Sequence, residues 1–217
     1  MERRTQYFLF LMTLHSSLLV TSTIAGSKIF ALPYGFSASA TVLSYMLTFV
    51  ILDTIAELYG RRFSRFVINL GLAAMALSAG YFEFAIWLPP ASFWKEQQAL
   101  ESILSSSWRI WLGGWVAYLV SQNLDLWSFL KLKQLRVGGA SLQLRAWVSM
   151  TVGQFIDTII FITIAFYGTA PLGSTIAGQY LIKVVIATFA TPLVSVGVAV
   201  GRRFTGTSGS LMPGGPS

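Results

Sequence analysis

Residues 39–59 read SATVLSYMLTFVILDTIAELY, and Gly60, Arg61 and Arg62 follow directly. A helix that crosses a bilayer needs about 20 mostly apolar residues, rising 1.5 Å each through about 30 Å of hydrocarbon. This run has that length. It also keeps two acids, Asp53 and Glu57, inside the apolar stretch and closes on arginines. Five further runs have the same length and character: 7–27, 66–88 (stopped by Pro89 and Pro90), 110–129, 146–167 and 180–200. The expectation is an all-α integral membrane protein of six transmembrane helices.

Composition agrees. Charged residues make up 11% of the chain, against about 25% in a soluble domain. Most of the helix-length runs lack the polar face that a water-facing helix needs. The net charge of +7 would suggest nucleic acid in a soluble protein. In a membrane protein it reflects basic residues gathered in cytoplasmic loops, so no nucleic-acid partner is expected. With no cysteine, disulfides, thiolate metal sites and a cysteine nucleophile are excluded.

Topology follows from lysine and arginine. Arg3 and Arg4 precede the first run, Arg61, Arg62 and Arg65 follow the second, Lys131, Lys133, Arg136 and Arg145 follow the fourth, and Arg202 and Arg203 follow the sixth. The other side holds Lys28, Lys95 and Arg109. The positive-inside rule then places both termini in the cytoplasm of a bacterial-type inner membrane. A basic start before an apolar run also fits a signal peptide, but removing it would leave an odd number of spans. The segment 91–108 is amphipathic (Phe93, Trp94, Leu100, Ile103, Leu104, Trp108) and is expected to form a short interfacial helix. Residues 1–204 form one transporter domain. Residues 205–217, rich in Gly, Ser and Pro, read as a flexible tail or an added remnant.

Asp53-Thr54-Ile55 in the second run is echoed by Asp157-Thr158-Ile159 in the fifth, and Tyr59-Gly60 by Tyr167-Gly168. Two three-helix halves of opposite direction would give this pattern as a 3+3 inverted repeat. Chance similarity explains it equally well, because the spacing to Tyr-Gly differs.

Ionisable side chains in lipid cost about 2.5–3.5 kcal/mol each on insertion scales. The chain keeps Asp53, Glu57, Glu83, Asp125, Asp157 and Lys183 in its runs, with Lys28 at the outer end of the first and Gln122, Asn123 and Gln154 as neutral partners. At 1.5 Å per residue, Asp53 lies roughly 12 Å, Asp125 roughly 9 Å and Asp157 roughly 18 Å from the nearest cytoplasmic basic residues of their helices. Three aspartates on three helices thus gather between the cytoplasmic third and the midplane, and Lys183 enters from the outer side. Asp53 and Glu57 share a helix face, as do Gln122 with Asp125 and Gln154 with Asp157. The plainer alternative is that the acids pair with Lys28, Lys183 or loop arginines and hold helices together. Tyr45, Phe49, Trp87, Trp115, Tyr118, Phe155 and Phe161 could stack on a flat ligand, although most such residues belong to lipid-facing belts. Gly71, Ala74, Gly80, Gly113, Gly114 and Gly153 suit close helix packing. No His-Glu-x-x-His motif is present, and the single histidine, His15, reads as a packing residue rather than a catalytic one. No enzyme, metal or cofactor is expected.

The motifs carry a family resemblance. Asp53-Thr-Ile-Ala-Glu57-Leu-Tyr59-Gly60 resembles the second-span signature of the queuosine precursor transporters, once described as a vitamin uptake family. Ser121-Gln122-Asn123-Leu124-Asp125, with Phe129, Lys131 and Lys133, resembles the fourth-span signature. Arg145, Ser149, Gln154, Asp157-Thr158, Phe161 and Tyr167-Gly168 resemble the fifth, while Lys183 and Pro192 suit the last. Two departures are an asparagine of span one, replaced by the stretch Ser22-Thr23-Ile24-Ala25-Gly26-Ser27, and a proline of span two, replaced near Met46.

The resemblance implies uptake of a 7-deazaguanine for salvage of the tRNA base queuosine: the 7-cyano or 7-aminomethyl base, queuine or its nucleoside. A deazaguanine presents N1–H and a 2-amino group that a carboxylate accepts side by side, an O6 that wants a donor, and a flat ring. Asp157 or Asp125 would read the guanine edge with Gln154, Gln122, Lys183 and Lys28 as further substrate contacts. Asp53 and Glu57 would gate or couple protons. The partners are this small molecule and membrane lipid, with a homodimer left open. The alternatives are a vitamin-binding subunit of an energy-coupling transporter and a non-transporting scaffold.

Overall fold

The computed structural model of the chain describes residues 2–25, 28–31, 37–105, 108–134, 141–168 and 171–205. They form helices α1 (Arg3–Ala25), α2 (Thr41–Tyr59), α3 (Arg61–Trp87), α4 (Gln97–Leu104), α5 (Trp108–Gln134), α6 (Leu142–Phe166) and α7 (Leu172–Thr205). A short antiparallel hairpin, β1 (Ile29–Ala31) with β2 (Ser37–Ser39), joins α1 to α2. The hairpin was not anticipated, since three-residue strands leave no periodic signal. Five helices (α1, α2, α3, α6 and α7) are long and apolar enough to cross a membrane. At 27 residues α5 has the length, but Arg109, Gln122, Asn123, Asp125, Lys131 and Lys133 make it more polar. The amphipathic segment forms α4, which buries no residue in the bundle. Arg136 and most of the expected tail lie outside the described residues, although Thr205 still closes α7.

The second run, which decides the class, is also the centre of the bundle. Helix α2 packs on α1, α3, α5, α6 and α7, and every residue in 48–56 is buried. Around it, α1 meets α3, α3 meets α5, α5 meets α6 and α6 meets α7. Helix α6 buries Arg145, Ala146, Ser149, Met150, Gly153, Gln154, Asp157 and Thr158, a stripe at helical spacing. Helix α5 answers with Ala117, Tyr118, Ser121, Gln122, Asp125 and Leu126.

Of the glycines expected to pack closely, Gly153, Gly113 and Gly71 do so, whereas Gly80 and Gly114 have open space where a Cβ would stand. A Cβ on Gly153 would stand 3.1 Å from Asp125 Cβ and 3.2 Å from the Ser121 carbonyl, and one on Gly113 would stand 3.3 Å from Ile164 Cβ. A side chain at Gly71 would collide with the Tyr118 hydroxyl and Leu19. Gly60 has φ 81° and ψ −179°, a backbone region open essentially to glycine alone. It lets α3 begin where α2 ends. Gly168, after α6, has the same positive φ of 81°.

Candidate functional site

Asp157 sits on the buried stripe of α6 and is held by three donors from three other helices. Lys183 of α7 reaches its Oδ2 at 2.6 Å. The Tyr45 hydroxyl of α2 and the Ser121 hydroxyl of α5 donate to Oδ1 at 2.8 and 3.2 Å. Both partners of the ion pair are more than nine-tenths covered. The ammonium also lies 5.9 Å from the centre of the Tyr45 ring, within cation–π range. A carboxylate has about four acceptor positions, so three donors leave it nearly saturated.

This pair forms the floor of a cavity of about 520 Å³, within the range typical of small-ligand sites. The cavity lies at the end of the bundle where α1 finishes and α2 begins, opposite the arginine-rich end. Its walls mix aliphatic side chains with the aromatics Tyr45, Phe82, Trp111, Trp115, Phe161 and Phe166. Ser22, Thr41 and Gln179 add polar groups to the lining, and the end of α4 contributes Ile103 and Leu104. The arrangement can take a flat, weakly polar ring against the aromatics and present it to a carboxylate beside an ammonium.

The other predicted contacts lie deeper, and none of Asp53, Gln122, Asp125 and Gln154 lines the cavity. All four are fully buried. Gln122 donates to Thr48 Oγ1 at 3.1 Å, while its Oε1, both amide atoms of Gln154 and all four carboxyl oxygens of Asp53 and Asp125 meet no hydrogen-bond partner among the described residues. Further on, Glu57 draws together three cations: Lys133 at 3.0 Å, Arg145 at 3.4 Å and Arg202 at 3.9 Å. These ion pairs join α2 to α5, α6 and α7 across the arginine-rich end. Arg145 also covers the Phe129 ring, 5.1 Å from its centre.

Polar residues therefore occupy three levels. Asp157 and Lys183 belong to the cavity, Gln154, Gln122, Asp125 and Asp53 to a closed layer, and Glu57 to an ionic lock. Lys28 is exposed and does not line the cavity. Glu83 is exposed on α3. Of the aromatics considered from sequence, Tyr45, Trp115 and Phe161 reach the cavity. Phe49 and Tyr118 are core residues, Tyr118 donating to the Ile68 carbonyl at 3.0 Å. Trp87 is 76% exposed, and Phe155 meets Tyr180 edge-on. His15 is buried, its ring 6.4 Å from that of Tyr118. Sequence reasoning missed Trp111, Phe82 and the Ser121 contact. The i, i+4 spacing of Trp111 and Trp115 was a usable signal, since it places both on one helix face.

Residues 39–197 match the family described as "Putative vitamin uptake transporter". Over 162 residues the chain is 28% identical to a protein of Bacillus subtilis (strain 168) named "Probable queuosine precursor transporter"; the match covers 73% of this chain and 71% of that protein. No solved structure matches.

Proposed function

The chain belongs to the vitamin uptake transporter family, and on that footing we propose that it imports a queuosine precursor, a 7-deazaguanine base or its nucleoside, through a six-span bundle with both termini in the cytoplasm. Helix α5 is the sixth span. Its 27 residues rise about 40 Å, its acid and glutamine are turned into the bundle, and Lys131 and Lys133 end it on the basic side. The cavity then opens outward and Glu57, with its three cations, closes the cytoplasmic end as a gate. The relative's printed name supports the substrate.

The observation that carries the reading is the aromatic cavity floored by a buried acid–lysine pair. A deazaguanine slots its ring against Trp111, Trp115 and Phe161. The Tyr45 and Ser121 hydroxyls turn away from Oδ1 as the ring enters, so that Asp157 accepts N1–H and the 2-amino group, while Lys183, with three N–H donors, keeps one on Asp157 and turns another to O6. Gln154, Gln122 and Asp125 lie behind this floor and meet the substrate only after it opens inward.

Thermal unfolding of the purified protein with 7-deazaguanines, against guanine, adenine, biotin and riboflavin, tests this. A ligand at about 100 times its dissociation constant adds about 2.7 kcal/mol of apparent stability. Stabilisation by the deazaguanines alone supports the substrate class. Stabilisation by a vitamin alone keeps a transporter and overturns the cargo.

A further inference from the structure

We propose that Asp53 and Asp125 hold one proton between their carboxyl groups, and that this proton is the ion carried with the substrate. The inference rests on the transporter reading and deepens it by naming the coupling ion and its site.

Asp53 of α2 and Asp125 of α5 are both at 0% exposure, and their carboxyls lie within hydrogen-bonding reach of one another. No donor meets any of their four oxygens among the described residues. The Ser149 hydroxyl stands beside Asp125 but is turned to the Ala146 carbonyl at 3.2 Å. The contrast with Asp157 is sharp in chemical terms. There the fold supplies an ammonium and two hydroxyls to one carboxylate. Here two carboxyls receive nothing. An unpaired buried carboxylate is very costly, and two that touch cannot both ionise. A proton on one supplies the missing donor, because a carboxylic O–H to a carboxylate oxygen is a short, charge-assisted bond.

The surroundings fit one negative charge on the pair. The charged groups that act on Asp53, besides Asp125, are Arg145 from α6 and Glu57 one turn on in α2. Arg145 bonds Glu57 through one nitrogen and leaves Nη1 buried without a partner. From α7, Lys183 is committed to Asp157 and Arg202 to Glu57. From α1, His15 packs on Tyr118. A second sign of an exchangeable guest is Gln154, fully buried with both amide atoms unpartnered and adjacent to Gly153, where α6 touches Asp125. The pair lies between the cavity floor and the ionic lock, so a proton held there crosses the same closed layer that the substrate must cross.

The test has two arms. Infrared difference spectra of the wild-type protein and of Asp53→Asn and Asp125→Asn, without substrate, read the carbonyl stretch of a protonated carboxyl near neutral pH. The proposal expects that band in wild type and its loss in both variants. In proteoliposomes, labelled 7-cyano-7-deazaguanine should accumulate about tenfold per unit of pH gradient, acid outside, for one proton per substrate. Asp53→Asn should exchange label at equal concentrations but fail to accumulate it. Absence of the band overturns the proposal, as does accumulation that ignores the pH gradient or follows a sodium gradient instead. Wild-type protein that shows the band yet exchanges no deazaguanine refutes the substrate while supporting the proton site.

Discussion

Replacing Asp157 and Lys183 singly and together separates a structural ion pair from a substrate reader. Breaking a buried pair by removing one partner typically costs about 3–5 kcal/mol, because the other charge is left uncompensated. The partners are not equivalent here. In Lys183→Met, Asp157 keeps the hydroxyls of Tyr45 and Ser121 at 2.8 and 3.2 Å, which places this variant near 3 kcal/mol, the lower end of that range. In Asp157→Asn, the buried ammonium loses its counter-charge and keeps an amide oxygen and the Tyr45 ring at 5.9 Å, which places it near 5 kcal/mol, the upper end. At about 2–4 °C per kcal/mol for a chain of this size, the melting temperature should fall by about 6–12 °C in the first and 10–20 °C in the second. The double variant buries no charge and should recover to within about 1.5 kcal/mol of wild type, as replaced buried pairs commonly do. Thermal unfolding in one detergent measures all four proteins, and deazaguanine is then added to each. Equal or reversed losses in the singles, or a double as unstable as their sum, would refute the energetic reasoning. A stable double variant that still binds deazaguanine would show that the pair only holds helices together.

Gly60→Ala forces a side chain onto a glycine-only backbone and should cost about 1–3 kcal/mol, read as a melting shift; Gly80→Ala, with open space around its Cβ, should be neutral or gain up to about 1 kcal/mol. Gly197→Ala puts a Cβ 2.8 Å from Thr54 Oγ1 and should cost about 1–3 kcal/mol as overpacking, with Thr54→Ala restoring most of it in the same assay. Glu57→Gln weakens ion pairs whose cations are 43% and 62% exposed at Lys133 and Arg202, so each of these contributes under about 1 kcal/mol, and it also takes the carboxylate from the buried Arg145, so the lock loses at least that much. Loosening the lock by about 1 kcal/mol changes the open population about fivefold. A single cysteine at buried Ser149, in a chain that otherwise has none, should then be labelled faster from the cytoplasmic side, and an unchanged rate would remove Glu57 from the gate.

How far the sequence could be read depends on which coordinate is asked for. Position along a helix is nearly fixed by residue number, so each apolar run falls on one long helix, although α7 already begins at Leu172, and the three aspartates were gathered at one level rather than divided between cavity and closed layer. Helical spacing also told which residues share a face, which is why Gln154 with Asp157 and Gln122 with Asp125 lie on the buried stripes of α6 and α5. What it could not give is where the helices part. The cavity ends at Asp157 because Tyr45, Ser121 and Lys183 close over it from three other helices. That convergence is tertiary, so Gln122 and Asp125 looked as eligible as Asp157 for contact with a ligand. The hairpin before α2 and the cavity walls Phe82 and Trp111 escaped for the same reason.

The two Asp-Thr pairs show where local resemblance stops being informative. Thr54 donates to the carbonyl four residues back, Val50, at 2.8 Å, and Thr158 does the same to Gln154 at 2.7 Å. Gly60 and Gly168 share a positive φ of 81°. The two stretches thus share local features: an acid on a buried face, a threonine returned to its own helix, and a glycine at the helix end. Yet one acid is saturated by a lysine, a tyrosine and a serine, and the other faces a second acid. An unmet acid is tolerable only if a proton or a moving partner meets it. The difference between the sites thus lies in donors that other helices bring, and there the two halves of the polar core divide their work.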